Sequence, residues 1–364
     1  CFSEALDPPP KARIDQAIAT LKATGAVEEG AKPVNAPQWG VQDDAWYVPT
    51  PIGLCLARLP CDLRLGKMAV FSALFGGNEA AWTVAATLSH RSPLVTPFQD
   101  YKRAQARAVH VSEFLPKDGP PSDHAALVAA YKAWEDAKRT RSTDSFCRKS
   151  FVNNQVMQTI RELRGDLVDT IRSDGFVEQY SKEELTKADI SSAQVTGALL
   201  FAGLYPNVAR LDNPRSASEK HPVIMAGSEQ LRVHPGSLCH TRTEGLHRTN
   251  HRWACYHTKM RTSQVFLRDC TFLMPNALLL FGGDASNMSL YPAEKSVSLG
   301  GGAEKHWHCV HIAPRAAALI RQLRYAFNGL IRRKASDPKQ PLCKEDRATI
   351  VAYVSILNSI DTDT

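Results

Sequence analysis

No run of about 18 apolar residues occurs in the chain, so neither a membrane-spanning helix nor a membrane partner is expected. No G-x-x-x-x-G-K-[ST] occurs either, which excludes a P-loop in this sequence. Gly300-Gly301-Gly302 runs into Ala303-Glu304-Lys305, the wrong spacing for one. No Asp-Glu pair follows a hydrophobic strand to hold a nucleotide's metal. The patterns G-x-S-x-G, H-E-x-x-H and H-x-E…P-C-x-x-C are also missing, so no catalytic residue is assigned. The nine cysteines include no C-x-x-C pair. Their odd number and wide spacing predict reduced thiols in an intracellular compartment, with cytoplasm, nucleus and mitochondrion all open. Neither a signal nor a transit peptide is legible at the start. The first residue is Cys1, not Met, which suggests a piece of a larger polypeptide.

Metal ligation finds ligand types but no paired C-x₂-C knuckle. Cys239, His240, His251, Cys255 and His257 are ligand types at workable distances, and His306, His308, Cys309 and His311 are dense. Zinc needs four ligands converging on one point. In a strand, His306 and His308 share a face while Cys309 points away. Surface histidines are the simpler account, and no metal is expected.

What is present is a folded, basic protein. Hydrophobic residues make up 43% of 364, the formal charge is +7 and the pI is about 8.9. That length favours two or three domains. A basic balance permits an anionic partner without requiring one.

Along the chain, Ile14, Ala17, Ile18 and Leu21 mark one helical face after Pro8–Pro10, and Gly25 ends that helix. A loop over 31–44, a short strand at Trp46–Val48 and a helix start at Thr50-Pro51 follow, the outline of a winged helix. Residues 62–180 read as a helical bundle. Its helices are expected at 66–75, 79–88, 122–139 (capped by Ser122) and about 145–173, with a polar, basic stretch around Lys102, Arg103 and Arg107. Beyond a polar boundary, 195–204, 207–211, 264–270 and 277–281 read as strands, the last as a doubly buried one after a turn at Pro275-Asn276. A polar, glycine-rich loop over 284–305, a strand over 306–312, a helix over 314–333, a linker and a short terminal helix complete the reading. Between Tyr205 and Arg261, nine lysines and arginines (210, 215, 220, 232, 242, 248, 252, 259, 261) face four acids, with six histidines and the aromatics Tyr205, Trp253 and Tyr256 interleaved. Cations that track a backbone and rings that stack on bases suit single-stranded nucleic acid.

An ordered series of motifs points further. Ala5-Leu6-Asp7-Pro8-Pro9, Thr50-Pro51-Ile52-Gly53, Leu59-Pro60 and Leu65-Gly66-Lys67-Met68 come first. Ala73-Leu74-Phe75-Gly76, Leu88-Ser89, Ser92-Pro93, Ser122-Asp123-His124, Ala133-Trp134-Glu135, Phe146-Cys147 and Phe151-Val152-Asn153-Asn154 follow. The run Ala202–Ala209, His234-Pro235-Gly236-Ser237, residues 259–270 and Leu279–Gly283 close it. Over about 1–334 the chain resembles the C-terminal half of DEAH/RHA-type, 3′-to-5′ ATP-dependent RNA helicases. The resemblance is to the subgroup of RNA helicase A and the G-quadruplex-resolving helicases in particular.

The resemblance implies a multidomain α+β protein. It would comprise a winged helix (1–61), a helical ratchet or HA2 bundle (62–180), an OB-fold β-barrel (195–313), a C-terminal helix packed on it (314–334) and a linker with a terminal helix (335–364). In that family two RecA-like domains use ATP and magnesium to step along single-stranded RNA, while the C-terminal domains close over the RNA and receive regulators such as G-patch proteins. This chain would carry the RNA-channel module without the motor, and no cofactor of its own. Phosphate donors are then expected from Lys259, Arg261, Thr262 and Ser263, next from Asn276, and from Asn153 and Asn154 on the ratchet side. Arg210, Arg252 and Arg268 would add diffuse charge. The segments 31–45, 99–119 and 238–250 look like insertions, and 335–364 lies beyond the match. The rival reading is a motorless docking scaffold within a large RNA–protein assembly.

Overall fold

The computed structural model describes residues 7–30, 46–215, 221–299 and 309–359. The 31–45 insertion, Ala5-Leu6, Gly300–Gly302, His306 and His308 lie outside the described residues. The chain opens with helix α1 (Lys11–Thr24), which ends on Gly25 in the left-handed region, as the sequence predicts. Strands β1 (Val27–Gly30) and β2 (Trp46–Pro49) pair antiparallel. Thr50 then caps α2 (Pro51–Leu56), with proline in the first turn where its missing N–H costs nothing.

The helical part continues with α3 (Leu63–Leu74), α4 (Glu79–Leu88), α5 (Asp100–Glu113), α6 (Asp123–Arg139), α7 (Thr143–Lys149) and α8 (Asn154–Asp174). The polar stretch at 102–107 is thus helical. The expected run over 145–173 is two helices, broken where Phe151 adopts φ 50° and Asn153 starts α8.

Two strand expectations are overturned next. After the short α9 (Lys187–Ile190), residues 195–204 lie in helix α10 (Ala193–Leu204), and residues 277–281 lie in helix α11 (Pro275–Phe281). Both are continuous apolar runs, which periodicity cannot separate from buried strands. Ser192 caps α10, Pro275 opens α11, and both helices are buried on nearly every side. α10 packs closely on α3: a Cβ on Gly203 would stand 2.6 Å from Met68 Cβ and 2.7 Å from Arg64 O.

The barrel consists of β3 (Val208–Asp212), β4 (Val223–Ala226), β5 (Glu229–Val233), β6 (Trp253–Arg261) and β7 (Val265–Leu273). It closes in the order β3-β4-β5-β7-β6, with β5 and β7 parallel and the other pairs antiparallel. That is an OB-type barrel following a largely helical region. Leu279–Gly283 does not complete it, since α11 has left the barrel.

β8 (Ser289–Tyr291) and β9 (Ser296–Ser298), both within the expected loop, form a small antiparallel sheet with β10 (Cys309–His311), which falls on the strand expected over 306–312. Helices α12 (Pro314–Ser336) and α13 (Lys344–Asn358) then return to the helical core. Phe75, Phe281, Phe327 and Tyr353 meet there, with the Phe327 and Tyr353 rings stacked at 4.5 Å. Arg324, buried, donates to the carbonyls of Leu279, Gly282 and Gly283 at and just past the end of α11, where a helix leaves carbonyls without helical donors. No helix among the described residues is long and apolar enough to cross a membrane.

Candidate nucleic-acid interface

A cleft of about 610 Å³ runs along β4 and β5. Along β5 the side chains alternate: Leu231 and Val233 are buried, Gln230 and Arg232 exposed. Gln230 Oε1 accepts from Arg215 Nη2 at 2.6 Å, and His221 Nδ1 lies 2.9 Å from Thr243 Oγ1 across the cleft mouth. Phe266 of β7 forms part of the wall, edge-on to His234 at 5.6 Å. In OB folds the sheet face on the second and third strands is the usual oligonucleotide surface.

Two histidines of this surface, His234 and His240, are biased towards the neutral ring. Burial lowers His240 below the usual imidazole range, and Arg107, His221 and His234 lower it further. Burial and then Arg268 do the same for His234. Permanent positive charge therefore comes from the arginines.

A seam of hydrogen bonds fixes the loop that borders the cleft. Ser122 Oγ caps α6 by accepting from Ala125 N and lies 2.6 Å from Thr271 Oγ1 on β7. Asp123 Oδ1 accepts from Leu238 N at 2.8 Å and from Cys239 N at 3.3 Å. Its Oδ2 accepts from Ser237 Oγ at 2.6 Å and from Cys270 N at 3.0 Å. His124 Nδ1 sits 2.7 Å from Thr271 Oγ1, while Nε2 is buried without a hydrogen-bond partner. Burial holds that imidazole down, at about 4, although Asp123 pulls the other way. Arg107 of α5 completes the seam by donating to Pro235 O and to Ser237 O, the latter at 2.8 Å. The sequence marks Ser122 as a cap and Asp123 as a first-turn charge. It carries no sign that Asp123 reaches across to residues more than 100 positions later. Asp123, Cys239 and Cys270 converge within 4.8 Å, but the backbone donors already occupy the carboxylate.

The expected site residues divide into groups. Lys259 Nζ pairs with Glu229 Oε2 at 2.7 Å, and Arg261, 74% exposed at its side chain, pairs with the same carboxylate. Two cations on one anion leave one positive charge over. Thr262 turns back on Gln264 O through its N–H at 2.8 Å, and Ser263 is exposed at that tip. Arg210 binds Asp212 at 2.7 Å, while Arg252 and Arg268 are exposed. The three amides are engaged within the protein. Asn153 Oδ1 caps α8 by accepting from Val156 N, Asn154 Oδ1 accepts from Trp134 Nε1 at 2.9 Å, and Asn276 Nδ2 donates to Ile356 O at 3.1 Å. The sequence did not single out the cleft residues Arg232 and Phe266 or the tie made by Arg107.

Residues 196–285 match the family model described as "Oligonucleotide/oligosaccharide-binding (OB)-fold". The mouse ATP-dependent DNA/RNA helicase DHX36 is 33% identical over 294 residues, 79% of this chain and 28% of that protein. The Xenopus laevis ATP-dependent RNA helicase dhx29 is 30% identical over 95% of this chain and 24% of its own length. The chain is homologous to the C-terminal region of DEAH/RHA-family helicases. The Arabidopsis thaliana DExH-box ATP-dependent RNA helicase DExH1 extends this at 28% identity over 98% of the chain. The chain spans about a quarter to a third of the length of these helicase relatives.

One carboxyl beside the seam departs from its ordinary state. Asp269, in β7 with its backbone at φ 53°, is pushed up to about 6 by burial and by the nearby Asp123, against the pull of Arg268. The fold therefore binds this proton more tightly than the unfolded chain does. Stability linked to it is gained as pH falls from above 6 towards the ordinary aspartate range, and at neutral pH the charged form is a cost. Asp269→Asn, which tolerates the same backbone, is expected to raise stability at pH 7 by roughly 1–3 kcal/mol. That gain should fade by about pH 4, and thermal unfolding across this range checks it.

Proposed function

We propose that this chain is the RNA-gripping C-terminal module of an ATP-dependent 3′-to-5′ RNA helicase, of the subgroup that includes RNA helicase A. RecA-like domains outside it would bind ATP and magnesium and supply the movement. The observation that carries the reading is the cationic cleft on the second and third strands of an OB-type barrel, in a chain homologous to helicases over most of its length. On this reading Arg232, Arg268, Lys259 and Arg261 hold phosphates, Phe266 offers a ring to a base, and the Asp123 seam keeps the loop 234–237 in register with the helical part. Protein partners belong to the same proposal: a G-patch-like regulator, or neighbours in a large ribonucleoprotein. The exposed Leu54 on α2 and Leu319 on α12 offer them apolar contacts.

Fluorescence anisotropy with a labelled single-stranded oligoribonucleotide tests the grip. Log affinity should fall linearly with log salt. Changing Lys259 and Arg261 together to alanine should weaken binding and lower the slope by about 0.7 per lost phosphate contact. Because Glu229 is then left facing the strand alone, the loss should exceed that of Arg232→Ala. A chain that binds no oligoribonucleotide even at low salt, or whose slope ignores these changes, is not this module.

A further inference from the structure

α5 carries an aromatic feature that the barrel reading does not use. Phe98 is 99% exposed and Tyr101, in the first turn of α5, is 68% exposed. A single exposed apolar residue is ordinary. Phe98 differs because the structure holds its backbone in place. Arg103 Nη2 donates to Phe98 O at 2.7 Å and Nε to Pro97 O at 3.3 Å, while the Arg103 N–H donates to Gln99 O. On the other side Leu94 bridges to Val152, and Val95 N donates to Phe151 O at 2.8 Å. The ring is thus presented on a braced loop.

The segments that hold the loop carry exposed cations. Lys102 lies 5.9 Å from the Tyr101 ring. Arg91 is exposed on the approach to the loop, and Arg148 and Lys149 are exposed at the end of α7, just before the residues that pair with the loop. Asp100 is matched by Arg103 at 3.1 Å. A docked protein would call for a wider contiguous apolar patch than these two rings, whereas rings among unmatched cations suit a polyanion whose bases stack. The feature also joins the cleft: α5 rises about 10 Å between Asp100 and Arg107, and Arg107 is tied to the loop at the cleft border.

We propose that Phe98 and Tyr101 form a stacking platform for single-stranded RNA, an extension of the barrel interface along α5 with Lys102, Arg148 and Lys149 on the phosphates. This rests on the nucleic-acid reading above. The test titrates a labelled 12-mer oligoribonucleotide into the chain and its Phe98→Ala variant. Phe98 buries nothing, so the two should unfold at the same temperature. Loss of one stacked base is expected to weaken binding about five- to a hundredfold with the salt slope unchanged. Phe98→Trp should restore affinity, and changing Lys102, Arg148 and Lys149 to alanine should lower the slope. Equal affinity for the wild-type chain and Phe98→Ala overturns the platform and leaves a protein surface as the occupant, while the barrel reading stands. Failure of the wild-type chain to bind the 12-mer overturns both.

Discussion

Replacing Asp123 with alanine should cost this protein on the order of 3–5 kcal/mol, a large share of the roughly 5–15 kcal/mol that holds a typical domain together. The carboxylate is the acceptor for three backbone N–H groups, those of Leu238, Cys239 and Cys270, and for the Ser237 hydroxyl. All four residues are buried, so water cannot replace it. Each donor left unmatched costs about 1–3 kcal/mol, and partial collapse of the site keeps the total below the simple sum. Asp123→Asn should lie between, since it keeps the shape and one oxygen but turns an NH₂ group towards backbone N–H groups. Hydrogen exchange at the amides of Leu238, Cys239 and Cys270 localises the effect: they should exchange far faster in the variant, with α3 and α10 less affected. Oligoribonucleotide affinity should fall as the loop 234–237 loosens, yet with an unchanged salt slope, because no phosphate-facing cation is lost. A variant within 1 kcal/mol of the parent, with those amides still protected, would show that the seam is incidental.

That seam marks the limit of what the sequence discloses. Local signals read correctly: Gly25 stops α1, Thr50-Pro51 starts α2, Ser122 caps α6, and Glu79–Leu88 is the helix its composition predicts. Each depends on residues within one or two turns. The two misread elements, α10 and α11, are apolar on every face because other elements surround them, so no periodicity survives to tell helix from strand. The basic character between Tyr205 and Arg261 is legible, but its distribution is not. Glu229 draws Lys259 and Arg261 together across the barrel, Asp212 takes Arg210, and the cations on α5 and α7 lie far away in sequence. Asn153 and Asn154 illustrate the same limit. Amides beside a helix start serve equally as caps or as phosphate donors, and only their partners, Val156 N and Trp134 Nε1, show how they are engaged here.

The second large effect is expected at the far end of the chain, where an ion pair is buried. Lys334, near the end of α12, is 4% exposed and Glu178 is 5% exposed, with Nζ and Oε1 2.5 Å apart. Lys334 Nζ also donates to Gln340 O at 2.8 Å, and Glu178 N donates to Ala73 O at 3.1 Å. Arg347 of α13 approaches the other carboxylate oxygen at 3.9 Å while binding Glu184 and Gln179 O. The network therefore ties both C-terminal helices to the segment after α8. Lys334→Met removes the charge but keeps most of the stem, leaving Glu178 buried with only a distant guanidinium. Urea unfolding should show a loss of about 3–5 kcal/mol, the usual cost of stranding one member of a buried pair. The same substitution at the exposed pair Lys22–Glu29 should change stability far less, because solvent already screens that contact. The decisive measurement is the double variant Lys334→Met with Glu178→Leu. If desolvation and attraction nearly cancel in the native pair, the double variant should recover most of the loss, since no charge remains stranded. Losses that simply add would mean that the two groups act independently and that the contact between α12 and the segment after α8 is held by its apolar neighbours alone.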